Sequence, residues 1–95
     1  MHYNCFMNAI ITVVGSDKVG IVSKVTTFLA QHSSNIVDIT QSILSGNFVM
    51  MLMVSLENAD LSIDKFRDQM ISLGKEIGVE INVMHEQVFS SMHRV

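Results

Sequence analysis

The sequence predicts an α+β fold, a four-stranded antiparallel sheet with two helices on one face, arranged βαββαβ. Three observations carry this expectation. Four apolar segments with β-branched residues, Ala9 to Val14, Ile36 to Leu44, Phe48 to Leu56 and Val79 to His85, alternate with two stretches of helical periodicity. A polar, glycine-bearing turn from Gly15 to Gly20 opens the first helix. Gly46 and Asn47 join the second and third strands as a two-residue hairpin, because Gly accepts φ > 0 and Asn tolerates it.

Taken in order, Ala9 to Val14 stops at Gly15 and has the composition of a buried central strand. The helix that follows, expected near residues 20–33, places Ile21, Val25, Phe28 and Leu29 at i, i+4, i+7 and i+8 with Val22 beside them. Ser23, Lys24, Thr27 and Gln31 fall on its wet side. His32, Ser33, Ser34 and Asn35 make a turn, and His32 suits a helix end, where a cation meets the favourable pole of the dipole. In the second strand Val37, Ile39 and Ile43 share one face and Asp38, Thr40 and Ser42 the other.

The third strand is apolar on both faces as far as Ser55, so its second face needs cover from another element or another chain. Asp60 or Ser62 caps the second helix, expected over 62–77, in which Ile63, Phe66, Met70, Leu73 and Ile77 form one apolar stripe. Gly74 interrupts that helix at a cost of about 1 kcal/mol relative to Ala, and Gly78 stands just past its end. Right-handed crossovers then give a ferredoxin-like arrangement, with Phe28, Leu29, Phe66 and Met70 facing the sheet.

Composition narrows the function. Ninety-five residues, 48% apolar and 16% charged, make one small globular domain with little core to spare for a deep enzyme cleft. A mean hydropathy of +0.38 is high for that length and points to an interface. With a net charge of −3 and Lys or Arg only at 18, 24, 65, 67, 75 and 94, no basic stripe exists for nucleic acid. Cys5 is the single cysteine, so neither an intrachain disulfide nor a CxxC pair is available, which suits a reducing cytoplasm. No apolar run approaches the ~18–20 residues that cross a bilayer, and no membrane association is expected.

Residues 1–7, MHYNCFM, lack the features of a signal peptide and read as a leader, with Met7 as an alternative start. The domain is expected over 8–86. Residues 87–95 form a tail in which Val88, Phe89 and Met92 have the spacing of a short helix. His32, His85 and His93 share no metal-binding spacing, and Met50, Met51 and Met53 have the character of core or interface packing, so neither metal nor cofactor is expected. Nor does any Ser/His/Asp, Cys/His or phosphate-loop signature appear, and an enzyme is not expected.

The first strand, the turn Asp17-Lys18-Val19-Gly20-Ile21-Val22, the entry Asn35-Ile36-Val37-Asp38 and the βαββαβ order together resemble an ACT domain. The resemblance spans roughly residues 8 to 86, and the endings HEQVF and MHRV are similar to those of small stand-alone bacterial and archaeal ACT-domain proteins. It implies a regulatory module, usually dimeric, that binds an amino acid or other small ligand and acts on an enzyme or on transcription. Gly20 matches the family's turn glycine, and Asn35 the position where serine-binding members carry a ligand-contacting Asn. This chain has Asp17 where those members have Asn, and Gly15 where they have His, which leaves the ligand's identity open.

The candidate ligand-binding residues are therefore Asp17, Lys18, Val19, Gly20 and Ile21 in the turn, with Asn35, Ile36 and Asp38 at the start of the second strand. Amides at a helix start lack intrahelical partners and accommodate an anion, here a ligand carboxylate, while Asp17 is placed to pair with its ammonium. Plainer roles compete: Gly20 relieves crowding, Asp17 caps the helix and Asp38 is simply solvated. A ligand-free dimeric interaction module of the same fold is the alternative function, and a small hydrolase the third. The ferredoxin-like acylphosphatases, however, need an arginine in the first turn, where this chain has none. Apolar surface on strand three and the tail predicts a homodimer with sheet and tail in its interface, since nine tail residues are too few to hide a whole sheet face.

Overall fold

The computed structural model describes residues 8–16, 18–56 and 62–86. The chain runs β1 (Asn8–Gly15), α1 (Lys18–Gln31), β2 (Asn35–Leu44), β3 (Asn47–Ser55), α2 (Ile63–Ile77) and β4 (Glu80–His85). The strands lie in the order β2-β3-β1-β4 with every neighbouring pair antiparallel, the predicted ferredoxin-like α+β architecture. The expected leader, the tail from 87 and Asp60 lie outside the described residues.

Strand alternation sorts the side chains into two faces. Ala9, Ile11 and Val13 of β1 stand in register with Val54, Leu52 and Met50 of β3, and Ile11 and Val13 also with Val83 and Ile81 of β4. These, with Phe48, are buried beneath Ile21, Val25 and Leu29 of α1 and Phe66 and Met70 of α2 in one core. Phe28 packs on the flank of that core, its ring 5.8 Å from Phe66 in an edge-on contact. All four residues expected to face the sheet thus contribute to the core.

Local chemistry explains where the helices stop. Ser62 caps α2, its Oγ accepting from the Lys65 amide at 3.4 Å. Gly78 ends α2 in the left-handed region at φ 76°, where a residue without Cβ is least strained. Ser33 takes the corresponding place after α1 at φ 56°, and the Ser34 amide closes the turn by donating to the Leu29 carbonyl at 2.9 Å. Gly74 is buried, and a Cβ there would stand 2.9 Å from the Val79 carbonyl oxygen. Its lack of a side chain lets α2 settle onto the start of β4.

Three departures from expectation have a physical reason. α1 begins at Lys18 and ends at Gln31, two residues earlier than predicted, so the polar turn is shorter. The hairpin turn is Ser45-Gly46, both at positive φ (53° and 79°), and Asn47 already pairs with Leu44. Two consecutive positive φ values give the twist that suits a two-residue hairpin, which moves the turn one residue back. A bulge lies between Ile36 and Asp38. Ile36 pairs with Val54 and Asp38 with Met53, leaving Val37 as the extra residue instead of on the face of Ile39 and Ile43.

Phe66→Ala should cost on the order of 3–5 kcal/mol in urea denaturation, a large part of the ~5–15 kcal/mol that holds a domain together. A cost under about 1 kcal/mol would mean that the core closes over the gap. Gly74→Ala is expected to destabilise by about 1–3 kcal/mol through overpacking against Val79 and Ile81, the opposite sign to its gain in helix propensity. Equal or greater stability in the same titration would show that α2 lifts off β4 without penalty.

Candidate functional site

The β1–α1 turn sits at the end of the sheet where β1 finishes, β3 begins and β4 begins. Asp17 lies outside the described residues, as does the side chain of Lys18, the first residue of α1. Val19 is 79% exposed, Gly20 is half-buried, and Ile21 points into the core at 3% exposure. The turn therefore presents one outward apolar side chain, one glycine and one inward anchor, with the amide end of α1 above the strand ends.

Two depressions flank it. One, of about 130 Å³, is lined by Ser16, Gly20, Ile21, Lys24, Ile77, Gly78 and Val79, between the turn and the end of α2. It stays narrow because Gly15 admits close neighbours: a Cβ there would meet the Ile21 and Val79 side chains at 2.6 Å. The other is wider and shallower, about 350 Å³, between Val19, Val22 and Ser23 of α1 and Gln41 of β2. Ser16, Lys24, Gln41 and the Ile77–Val79 turn were not among the candidate ligand-binding residues. The βαββαβ order contained the missing signal, since it brings the end of the second helix to the same end of the sheet as the start of the first.

Asn35, Ile36 and Asp38 are at the other end. Asn35 stands in the row of Ser55 and Asn8, whereas the turn follows Gly15, in the row of Phe48 and Ile43. Seven steps along β1, at about 3.3 Å each, separate the two rows by roughly 23 Å. Within one copy, then, the two halves of the predicted site do not meet. The reason is α1 itself: its 14 residues carry the chain about 21 Å down the sheet before β2 starts. All three β2 residues are exposed, and Asp38 Oδ1 accepts from the Ile39 amide at 2.8 Å.

A third depression, about 100 Å³, lies on the helix-free face between Ile10, Asp38, Thr40, Met51 and Met53. Among the described residues no group of three or more His, Cys, Asp or Glu is placed to hold a metal ion. No helix among them is long and apolar enough to cross a membrane.

Comparison with known proteins accounts for this architecture. The model of the ACT domain matches residues 8–84. A UPF0237 protein of Methanopyrus kandleri is 44% identical over 87 residues, 92% of this chain and 97% of that protein. One from Methanococcus maripaludis is 48% identical over 88 residues, 93% of this chain and 98% of its own length. Among solved structures, an ACT domain protein from Streptococcus pneumoniae superposes with a TM-score of 0.78 at 38% identity, covering 87% of this chain and 93% of that one. A formyltetrahydrofolate deformylase from Pseudomonas syringae matches with a TM-score of 0.73 at 26% identity, over 87% of this chain and 30% of the deformylase. The chain belongs to the ACT domain family, whose members are typically regulatory ligand-binding modules.

Proposed function

We propose that this chain is a cytoplasmic homodimeric sensor that binds an amino acid or similar small ligand and transmits its presence to a partner protein. One observation supports the reading above others: all ten residues of β2 are exposed, on both faces and along the free edge of the sheet. Ile36, Val37, Ile39, Ile43 and Leu44 are among them, and an edge strand of this length and composition is suited to pairing with another strand.

Antiparallel pairing of two β2 edges about a two-fold axis near their middle brings the Asn35 end of one copy to the Leu44 end of the other. Asn35, Ile36 and Asp38 of one subunit then approach the wide depression by Val19, Val22, Ser23 and Gln41 of its mate. In that arrangement the ligand carboxylate faces the amide end of α1, Asn35 hydrogen-bonds to the ligand across the subunit boundary, and Asp17 pairs with its ammonium. The proposed interface is thus the β2 edge, not the sheet face and tail that exposed apolar residues alone suggested.

Calorimetry against the twenty amino acids tests the ligand. One of them is expected to bind, and Asn35→Ala is expected to weaken it at least tenfold, the loss of about 1.4 kcal/mol in a charge-assisted contact. Saturation at 100 times Kd should also add about 2.7 kcal/mol of stability, visible as a raised Tm. If none binds, the ligand-free interaction module becomes the better account.

Light scattering at micromolar concentration tests the assembly and should return twice the chain mass. Ile39→Lys, in the middle of β2, is expected to yield a folded monomer, whereas Lys at Met51 on the helix-free face should leave the dimer intact. The reverse pattern would place the interface on the open sheet face.

A further inference from the structure

The hairpin fixes which backbone groups of β2 face its free edge. In a two-residue hairpin the residues flanking the turn, here Leu44 and Asn47, form a hydrogen-bonded pair, and such pairs recur at every second residue of an antiparallel ladder. Ser42, Thr40 and Asp38 therefore direct their N–H and C=O groups toward β3, while Ile43, Gln41 and Ile39 direct theirs outward. The side chains divide the same way. Ile39, Gln41 and Ile43 stand opposite Leu52, Met50 and Phe48 on the helix side, and Asp38, Thr40 and Ser42 stand opposite Met53, Met51 and Val49 on the helix-free face.

One outward amide is already engaged. The Ile39 N–H, close to the middle of β2, donates to Asp38 Oδ1 at 2.8 Å. A strand laid along this edge has to displace the carboxylate to reach that amide, and the displacement costs least where the incoming strand offers the carboxylate another donor. In the antiparallel pairing of two β2 edges, the register decides whether it does. With the two-fold axis at Thr40, Asp38 lies directly opposite Ser42 of the second copy, Thr40 opposite Thr40 and Ile39 opposite Gln41. With the axis at Gln41, Asp38 lies opposite Leu44, which has no side-chain donor. In the first register Ile39 and Gln41 form the hydrogen-bonded pairs, so Asp38 and Ser42 fall in the closer, non-hydrogen-bonded kind, with Cα atoms about 4.5 Å apart. A serine hydroxyl at that spacing reaches the carboxylate, and the Thr40 pair adds a favourable cross-strand contact.

On the reading that two copies pair through β2, we propose that Asp38 sets the register of that pairing. In the single subunit it caps the Ile39 amide. In the dimer it yields this amide to the Gln41 carbonyl of the second copy and accepts instead from that copy's Ser42 hydroxyl, with the two-fold axis beside Thr40. Asp38 is then a positioning residue of the interface, and the alignment it selects fixes how far along the mate's β2 the Asn35 end of each subunit comes to rest.

Disulfide trapping in a Cys5→Ser background reads the register. Thr40→Cys alone, and a mixture of Ile39→Cys with Gln41→Cys chains, should give covalent dimers several-fold faster than Gln41→Cys alone. Sedimentation equilibrium reads the role of Asp38. Ser42→Ala should raise the Kd of the dimer about tenfold in the otherwise unchanged chain, and less than about threefold in Asp38→Ala, because the acceptor is then gone. Faster linking through Gln41→Cys than through Thr40→Cys, or an equal effect of Ser42→Ala in both backgrounds, would overturn the proposal and leave the pairing of edges standing. A chain that stays monomeric at micromolar concentration would overturn both.

Discussion

Two helices have to keep water from the helix-side face of β1 and β3, and that demand sets where everything else in the domain can lie. Ala9, Ile11 and Val13, with Phe48, Met50, Leu52 and Val54, retain at most 2% exposure beneath α1 and α2. Burying each larger apolar side chain is worth about 1.5–3 kcal/mol, and the whole domain is held by only about 5–15 kcal/mol, so neither helix can slide outward to shelter β2. The free edge and the helix-free face are consequences of that placement. Any binding or association has to use surface that the core leaves over.

The same demand shapes the turn end of the sheet. Gly15 lets the Ile21 and Val79 side chains approach within the space a Cβ would occupy, and Gly74 does the same for the Val79 carbonyl. Both glycines hold the start of β4 close to the helices, and the narrow depression lined by Ser16, Lys24 and Gly78 is what remains between them. Read in sequence alone, Gly74 is a flaw in an otherwise good helix. In the fold it is the contact point between α2 and β4, and its conformational cost is offset by that packing.

What the sequence made legible follows from how local each signal is. The α2 stripe, Ser62 and Gly78 were read correctly because a helical period and its caps depend on residues three or four apart. The bulge was not, because Ile36-Val37-Asp38 fits an unbroken alternation equally well, and only pairing with Val54 and Met53 reveals the extra residue. The hairpin was placed one residue late because Ser45 has no intrinsic preference for positive φ; the twist of the two strands imposes it. Asn35 was grouped with the first turn by motif, while the intervening length of α1 places Asn35 and Gly20 at opposite ends of one subunit.

β2 itself remains to be explained as a strand. Natural edge strands are usually shortened or protected by Lys or Pro, yet β2 is ten residues long and carries neither, with Asp38 as its one charged residue. Its single irregularity, the bulge at Val37, lies near its start and leaves Ile39 to Leu44 pairing regularly with β3. A bulge in that place turns Asp38 and Thr40 toward the helix-free face and keeps Ile39 and Ile43 on the helix side, where no helix stands above them. Solvent gains nothing from that arrangement. A second strand laid along the edge would, because its own helix-side residues would meet Ile39 and Ile43 while the ladder satisfied the backbone groups the edge now presents.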